Sequence, residues 1–422
     1  ELGHPSASEL AEGSLWVAGK NKIWGSVSDS YYSFDRTIEG DSASIFRTIG
    51  FGPTDPIKWI KGASSIIAGT SSDEVAIRSS SFGEILTPTN TNIKSGSTQG
   101  SDSVSDPIKI DSMVYFVQRS RTKLYSVEAY VESDKFTTTD TNMMNRNITS
   151  PKIRRLAFTQ QPETRVFAVL EDGTMAVYTV DIVEEVSGWS LLTMTDDSNT
   201  KIEDIVVLPG EVEDRVYVIT DRGATYQLEK FARFDECVGG ASNKTFDSAV
   251  YYSSPGTTLT GLTHLEGKTV GIWADGQDRG DAVVASGQIT VSASWTDVVV
   301  GMRYIADYKG AKLSGYDKNT VLTEQKRIVD VAVILSDYWP GSLKIGPTDA
   351  LLKSMPDVED GKPAATTATI DYAAVPFDFN GATETDPRVC MRATGPVTVL
   401  AFTPGIIQPH TSTVHKGCHI GQ

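Results

Sequence analysis

The chain has 422 residues, and its 38 Lys and Arg against 54 Asp and Glu give a formal net charge of −16 at pH 7. This acidity argues against a protein that grips nucleic acid, and it suits either plain solubility or a surface that nucleic acid slides past. Three cysteines are too few for a disulfide framework and favour assembly in a reducing cytoplasm. No apolar run approaches 18 residues and the opening residues lack a signal-peptide pattern, so we expect no membrane span and no secretion signal.

A four-residue apolar core recurs along the first half of the chain. The five copies are Leu15-Trp16-Val17-Ala18, Ile66-Ile67-Ala68-Gly69, Val114-Tyr115-Phe116-Val117, Val166-Phe167-Ala168-Val169 and Val216-Tyr217-Val218-Ile219. They start 51, 48, 52 and 50 residues apart. A fixed step of about 50 residues is typical of a repeat architecture, and the kelch-like β-propeller is the nearest match.

The flanks of each core predict antiparallel meanders. Apolar strands are predicted before four of the cores, at Ile57–Ile60, Ile108–Ile110, Ile153–Phe158 and Ile202–Leu208. Asp172-Gly173 and Arg222-Gly223 follow the last two cores. Because glycine readily adopts the positive φ of a tight hairpin turn, each pair predicts a turn into a further strand. Successive meanders predict propeller blades. An ordinary two-sheet sandwich with accidental spacing is the alternative.

The second half of the chain has a different organisation. A polar stretch over 235–256 precedes short strands at Lys268–Trp273, Ala282–Val284, Gln288–Val291, Asp297–Val300, Arg327–Leu335, Ala368–Tyr372 and Val397–Phe402. The sequence therefore predicts an all-β protein with little helix: propeller blades over residues 1–235, a sandwich-like or barrel-like β-domain over 257–406, and an extended arm over 407–422. Asp307–Glu324 is predicted to be a long loop. The candidate helical turns are Asp349–Lys353 and parts of Asp134–Asn147.

Short phrases along the chain resemble one family. The most specific is His264-Leu265-Glu266-Gly267-Lys268-Thr269-Val270, followed by Asp275-Gly276. Others, in matching order, are Trp24-Gly25-Ser26 with Tyr31–Phe34, Ile57–Ile60 with Ile67–Thr70, Leu86–Asn90, Val114–Ser120, Phe158–Pro162 and Glu171–Thr174. Together they resemble the tail nozzle of short-tailed bacteriophages, also called tail tubular protein B, from about Leu15 to Phe402.

This resemblance implies a structural virion protein, assembled in the bacterial host cytoplasm and located in the virion tail. Family members form a homohexameric ring below the portal and the tail adaptor protein. The lumen of the ring continues the channel through which double-stranded DNA leaves during genome ejection, loops gate it, and tail fibres or spikes attach near its rim. The family's usual front section has no counterpart before Glu1, so the resemblance implies blades supplied by a preceding segment or by another chain.

Candidate chemistry is sparse, and we predict no enzyme, no cofactor, and no catalytic, cofactor-binding or metal-binding residues. His410, His415, Cys418 and His419 are dense in ligand types but match no common zinc spacing. The neighbours in Glu184-Glu185 and Asp196-Asp197 would point to opposite faces of a strand, so neither pair can flank one glycosidic bond. Glu171, Asp172, Asp221 and Arg222 are interpreted as hairpin-turn residues, and His264 as a hydrogen-bonded turn residue. No helix is predicted after Gly276–Gly280 to cradle a phosphate.

Two basic clusters remain open to interpretation. Lys152-Ile153-Arg154-Arg155 precedes a strand, and Arg119, Arg121 and Lys123 share a turn. Either could touch the phosphates of passing DNA or meet an acidic neighbour across a subunit contact, and the contact is favoured because durable DNA binding would slow ejection. The alternative function from another class is a propeller that binds or hydrolyses host polysaccharide. It would need an aromatic platform beside convergent carboxylates.

Overall fold

A computed structural model describes residues 4–50, 55–80, 84–130, 135–194, 200–223, 225–238, 240–312, 325–355, 358–359, 362–363, 370–372 and 377–407. These residues confirm the all-β class. Their only helical elements are two 3-10 turns, Phe234–Glu236 and Thr263–Leu265. The chain forms two compact units, and within the described residues the first ends at Lys230 and the second begins at Phe231.

The first unit contains five antiparallel meanders, each hydrogen-bonded in chain order. Sheet 1 comprises β1 (Ala7–Ala11), β2 (Ser14–Gly19), β3 (Lys22–Gly25) and β4 (Ile45–Thr48). Sheet 2 comprises β5 (Ile57–Gly62), β6 (Ile66–Thr70), β7 (Glu74–Ser79) and β8 (Thr91–Ser97). Sheet 3 comprises β9 (Ile108–Ile110), β10 (Met113–Val117), β11 (Leu124–Tyr130) and β12 (Lys135–Asp140). Sheet 4 comprises β13 (Ile153–Thr159), β14 (Arg165–Leu170), β15 (Met175–Asp181) and β16 (Val186–Leu192). Sheet 5 has three strands, β17 (Lys201–Leu208), β18 (Arg215–Asp221) and β19 (Tyr226–Lys230).

Each repeated apolar core forms the second strand of its sheet, and in sheets 2, 3 and 4 its side chains alternate between the two neighbouring sheets. On β10, Val114 and Phe116 pack in a core with sheet 2, whereas Tyr115 and Val117 pack in a core with sheet 4. Successive side chains of a strand point to opposite faces, so a strand buried on both faces is apolar at every position. This two-sided burial explains why the repeat is an unbroken apolar run.

The sheets of the first unit therefore pack face to face in series. Sheets 1 and 2 enclose one core around Trp16 and Ile66, and sheets 3 and 4 enclose another around Tyr115 and Val166. A third core, between sheets 2 and 3, centres on Phe116. This serial packing excludes a two-sheet sandwich for the first unit, because each of sheets 2, 3 and 4 has both faces covered.

The second unit consists of smaller antiparallel sheets. Sheet 6 has the order β20 (Asp247–Ser253), β25 (Asp297–Met302), β22 (Thr269–Ala274), β23 (Gln277–Val283), beside the pair β21 (Thr258–Thr260) and β24 (Gln288–Thr290). Sheet 7 has the order β26 (Ala306–Lys309), β34 (Cys390–Ala393), β28 (Leu343–Gly346), β29 (Lys353–Ser354). In sheet 8, β27 (Arg327–Tyr338) pairs with β32 (Ile370–Tyr372), β33 (Phe377–Asp378) and β35 (Thr398–Ile407). β30 (Val358–Glu359) pairs with β31 (Lys362–Pro363).

Two cores stabilise the second unit. Sheet 6 and the β21–β24 pair enclose the first, and sheets 7 and 8 face each other across the second. Trp273 of sheet 6 packs edge-on against Trp339, with ring centroids 5.1 Å apart, and its indole N–H donates to the carbonyl oxygen of Gly240 at 2.8 Å. The described residues show no closed barrel.

Three local predictions from the sequence are wrong. Asp134–Asn147 contains strand β12 followed by turns, because its alternating side chains pair with β11. Asp349–Lys353 is a turn that leads into the short strand β29. The expected loop over Asp307–Glu324 begins inside strand β26, which pairs with β34, and Arg392 of β34 donates a hydrogen bond to Asp307 of β26. Residues 313–324 lie outside the described residues. The predicted arm also lies outside them from residue 408 onward.

No helix in the described part of the chain is both long and apolar enough to cross a membrane.

Candidate functional site

The first strands of sheets 1 to 4 line an open cleft of about 550 Å³. Its walls come from β1, β5, β9 with the segment before it, and β13. These strands lie together because β1 packs on β5, β9 on β13, and β13 on β17.

Ion pairs join neighbouring sheets at the walls of this cleft. Lys61 Nζ on β5 lies 3.3 Å from Glu9 Oε2 on β1, and the backbone N–H of Gly62 donates to Glu9 Oε1. At the other side of the cleft, Arg155 Nε on β13 lies 3.0 Å from Asp204 Oδ1 on β17. Because these side chains are partly exposed, each pair stabilises the fold by at most about 1 kcal/mol. Each pair joins the first strands of two adjacent sheets.

Both predicted basic clusters meet acidic neighbours, and these neighbours lie within the same chain. Arg154 Nη1 lies 2.7 Å from Glu203 Oε2, so sheets 4 and 5 share a second ion pair beside Arg155. Arg121 Nη1 lies 2.8 Å from Glu171 Oε1 and the guanidinium also donates to the carbonyl oxygen of Ile153.

Lys123 and Arg119 of the second cluster are also engaged. Lys123 pairs with Asp140 across the β11–β12 hairpin, and the hydrogen bond between them raises the pKa of the lysine. Arg119 Nη1 donates to the carbonyl oxygen of Ser71 at 3.2 Å, which connects sheet 3 to a turn of sheet 2. The cationic side chains thus link sheets and hairpins.

The acidic turn residues build hairpins. Asp172 Oδ1 accepts hydrogen bonds from the N–H and hydroxyl of Thr174, and Asp221 Oδ1 accepts one from the N–H of Gly223. Gly173 and Gly223 have φ of +88° and +84°, as the predicted hairpins require. Glu184-Glu185 lies in the exposed β15–β16 turn, and Asp196-Asp197 lies outside the described residues.

Arg222 performs a second task in the last of these turns. Its Nε and Nη2 donate to the two carboxylate oxygens of Glu229 at 2.8 and 2.9 Å, and both side chains are nearly buried. This bidentate pair fixes the β18–β19 hairpin.

Sequence reasoning missed a buried acid at the start of β7. Glu74 has no exposed surface, and its carboxylate accepts hydrogen bonds from the hydroxyls of Ser97 and Ser101 and from the N–H of Gln99. Burial raises the pKa of Glu74, although these hydrogen bonds oppose the rise. The nearby indole nitrogen of Trp59 is buried without a hydrogen-bond partner. The cluster ties sheet 2 to the segment that leads into sheet 3.

The remaining predicted positions lie in the second unit. His264 belongs to the 3-10 turn Thr263–Leu265, with Nε2 3.4 Å from the carbonyl oxygen of Ser248. Gly276–Gly280 falls in the β22–β23 hairpin, where Asp278 accepts two hydrogen bonds from Arg303 at 2.8 and 2.6 Å. His410, His415, Cys418 and His419 lie outside the described residues. Within the described ranges no group of three or more His, Cys, Asp or Glu side chains is placed to hold a metal ion.

Comparisons with known proteins add no relative. No protein-family model matches the chain, and no curated protein matches it. The resemblance to tail nozzle proteins therefore depends on the short sequence phrases and their order.

Proposed function

We propose that this chain is a structural wall subunit of a phage tail nozzle, a ring that forms the distal conduit for genome ejection. The observation that carries the proposal is the series of face-packed sheets in the first unit, in which every consecutive pair encloses a core or is joined by ion pairs. Such packing makes a stiff element, because dense interiors have low compressibility and transmit strain. A conduit for DNA ejected under pressure needs that stiffness.

The distribution of charge supports the same function. The chain carries a net charge of −16, and five side chains of its basic clusters, Arg119, Arg121, Lys123, Arg154 and Arg155, are engaged with carboxylates or carbonyl groups. A wall of net negative charge would let DNA pass without holding it. Gating of the lumen and anchoring of tail fibres belong to the proposal through the family resemblance alone.

The polysaccharide alternative is less well supported. A glycan site would occupy the first-strand cleft, whose lining has one aromatic residue, Phe158. Of the two carboxylates in that lining, Glu9 and Asp106, Glu9 is paired with Lys61. A sugar-binding platform needs an aromatic face beside free, convergent carboxylates.

The stoichiometry of the full chain tests the proposal. We expect light scattering coupled to size exclusion, and mass photometry, to give a hexamer, either for the chain alone or after addition of its tail adaptor. A parallel incubation with host surface polysaccharide should release no reducing ends. A chain that stays monomeric with the adaptor and hydrolyses the polysaccharide would establish the alternative.

A further inference from the structure

Residues 98–107 connect β8 of sheet 2 to β9 of sheet 3, and we name them the connecting segment. The backbone N–H of Ser101 donates to the carbonyl oxygen of Thr70 in sheet 2 at 2.8 Å. The next N–H, that of Asp102, donates to the carbonyl oxygen of Val117 in sheet 3 at 3.0 Å. The connecting segment therefore crosses the boundary between these two sheets.

The far end of the connecting segment reaches a third sheet. Ser105 Oγ accepts a hydrogen bond from the backbone N–H of Leu156 in sheet 4 at 2.9 Å, and residues 105–107 line the first-strand cleft. The segment contains one large aliphatic residue, Val104, so hydrogen bonds hold most of it in place. Regions with few buried apolar contacts can open while the rest of a fold stays intact.

Three hydrogen bonds at the near end converge on one carboxylate, that of Glu74 on β7. The hydroxyl of Ser101 donates to Oε1 at 2.8 Å, and the backbone N–H of Gln99 donates to Oε2 at 3.4 Å. The hydroxyl of Ser97, which lies opposite Glu74 on β8, donates to Oε2 as well. Glu74 is 0% exposed, so the attachment of the connecting segment depends on a carboxyl group that is removed from water.

No cation in the described residues compensates a charge on Glu74. The ionisable side chains on the elements around it are Asp55, Lys58, Lys61, Asp73, Arg78, Lys94, Asp102, Arg119 and Tyr125, and none of them forms an ion pair with it. Burial raises the pKa of Glu74, and the negative charge of Asp73 adds to the rise. A buried charge without a partner is costly, so ionised Glu74 is more stable in water than in the closed site.

The indole N–H of Trp59 lies beside the same anchor. A Cβ on Gly69 would lie 2.4 Å from Trp59 Nε1 and 2.5 Å from Ser101 Oγ, so these two groups meet over Gly69. Trp59 is 3% exposed, and no described group accepts a hydrogen bond from its N–H. Contact with water would satisfy this donor, which gives a second reason for the site to open.

We propose that Glu74 is a pH-sensitive anchor that holds the connecting segment closed when its carboxyl group is neutral and releases it on ionisation. Both the carboxylate and the Trp59 N–H reach water in the released state, and linkage shifts the equilibrium toward that state as pH rises. Release moves residues 105–107 out of the wall of the first-strand cleft, so the shape of the cleft changes with pH. The inference uses contacts within one chain and does not depend on the proposed conduit.

Hydrogen exchange of the full-length chain, at a series of pH values from 4.5 upward, tests the inference. Protection is the exchange rate of an unstructured peptide at the same pH divided by the observed rate. We expect the protection of residues 99–106 to fall at least about 5-fold relative to that of β14 as pH rises through the titration of Glu74. Glu74→Gln keeps a neutral side chain and should abolish this fall, whereas the control Glu184→Gln should retain it.

Three results would overturn the inference. In the unmodified chain, an equal fall on β14 would mean that Glu74 reaches water only when the whole unit unfolds, and constant protection of residues 99–106 would mean that ionisation releases nothing. The same fall in Glu74→Gln would assign it to another group. Ser101→Ala supplies a second variant, because it keeps the acid and removes one donor to the carboxylate. It should enlarge the fall, and an unchanged profile would contradict the anchor.

Discussion

The indole of Trp59 on β5 packs against the phenyl ring of Phe116 on β10, with ring centroids 5.5 Å apart and planes inclined at 40°. This contact crosses the boundary between sheets 2 and 3, and both side chains are buried. Because Phe116 also stacks on Tyr125 within its own sheet, at 6.0 Å, one ring joins packing within a sheet to packing between sheets. The free energy of unfolding of the first unit should therefore depend strongly on Phe116.

Replacement of Phe116 tests that dependence. Phe116→Ala leaves a cavity between two sheets that cannot collapse freely, so we expect it to lower the free energy of unfolding by about 3–5 kcal/mol. Leu191→Ala, on an exposed strand, is the control and should change it by less than about 0.5 kcal/mol. Differential scanning calorimetry measures both. Equal transition temperatures for the two variants would show that the boundary between sheets 2 and 3 contributes little.

Glu74 should make stability depend on pH. Burial raises its pKa in the folded state, so the contribution of Glu74 to stability is fully present below the ordinary pKa of 4.5 and is lost as pH rises from there through the raised folded pKa. Glu74→Gln removes this titration, and the serine hydroxyls can rotate to pair with the amide. We expect a flatter stability profile above pH 4.5 for the variant than for the original chain, measured by urea unfolding at a series of pH values.

Glu184→Gln is the control for that measurement, because Glu184 lies in an exposed turn. Its profile should coincide with that of the original chain. If Glu74→Gln and Glu184→Gln gave the same profile, burial of Glu74 would not be the cause of the pH dependence.

Substitution of two hairpin glycines, Gly173 and Gly223, distinguishes the cost of backbone strain from the cost of steric overlap. Both have positive φ, so Gly223→Ala should cost about 1–2 kcal/mol from the left-handed conformation alone, since its Cβ would meet open space. Gly173→Ala should cost more, because its Cβ would overlap the side chain of Lys201 in sheet 5. Thermal unfolding compares them. A larger loss for Gly223→Ala would contradict this placement of Lys201.

Arg303 stabilises the second unit through its geometry as well as its charge. It donates to both carboxylate oxygens of Asp278 and to Asp281 at 2.6 Å, and its guanidinium lies 5.5 Å over the ring of Phe246. Lysine keeps the charge but not the planar fork, so Arg303→Lys should cost about 1–2 kcal/mol.

Arg233→Lys is the matched control for Arg303→Lys, because Arg233 lies in the same unit and pairs with Asp235 and Glu236, two and three residues away. It should cost less than about 0.5 kcal/mol. Calorimetry of the second unit's transition in the full chain compares the two variants. Equal losses of unfolding free energy would mean that the hydrogen bonds from Arg303 to Asp278 and Asp281 stabilise the unit no more than an ion pair between near neighbours in sequence.

The sequence predicted the strands that are rich in apolar residues and missed those with mostly polar side chains. The repeated cores and the strands before them are apolar, so their spacing gave β5, β9, β13 and β17 nearly to the residue. The fourth strands of the sheets were missed because edge strands such as β8, Thr91–Ser97, carry polar side chains. β1 was missed for the same reason, since Leu10 is its one large apolar residue.

The candidate site was harder to foresee. The roles of Asp172 and Asp221 in hairpin turns followed from the glycines beside them. The ion pairs Lys61–Glu9 and Arg155–Asp204 join residues about 50 positions apart, and nothing in local sequence identifies such partners. Glu74 follows a turn signal and precedes an apolar run, so its sequence context is that of an exposed residue. Its carboxylate is held by Ser97, which lies opposite it on the paired strand β8, and by Ser101 in the segment that follows β8.

Electron cryomicroscopy of the full chain assembled with its tail adaptor tests the central claim most directly. The account predicts a sixfold ring with an open lumen, in which each subunit contributes five face-packed sheets to a continuous wall. A monomer bound to the adaptor, or a ring whose lumen is closed by the cores of these sheets, would contradict it.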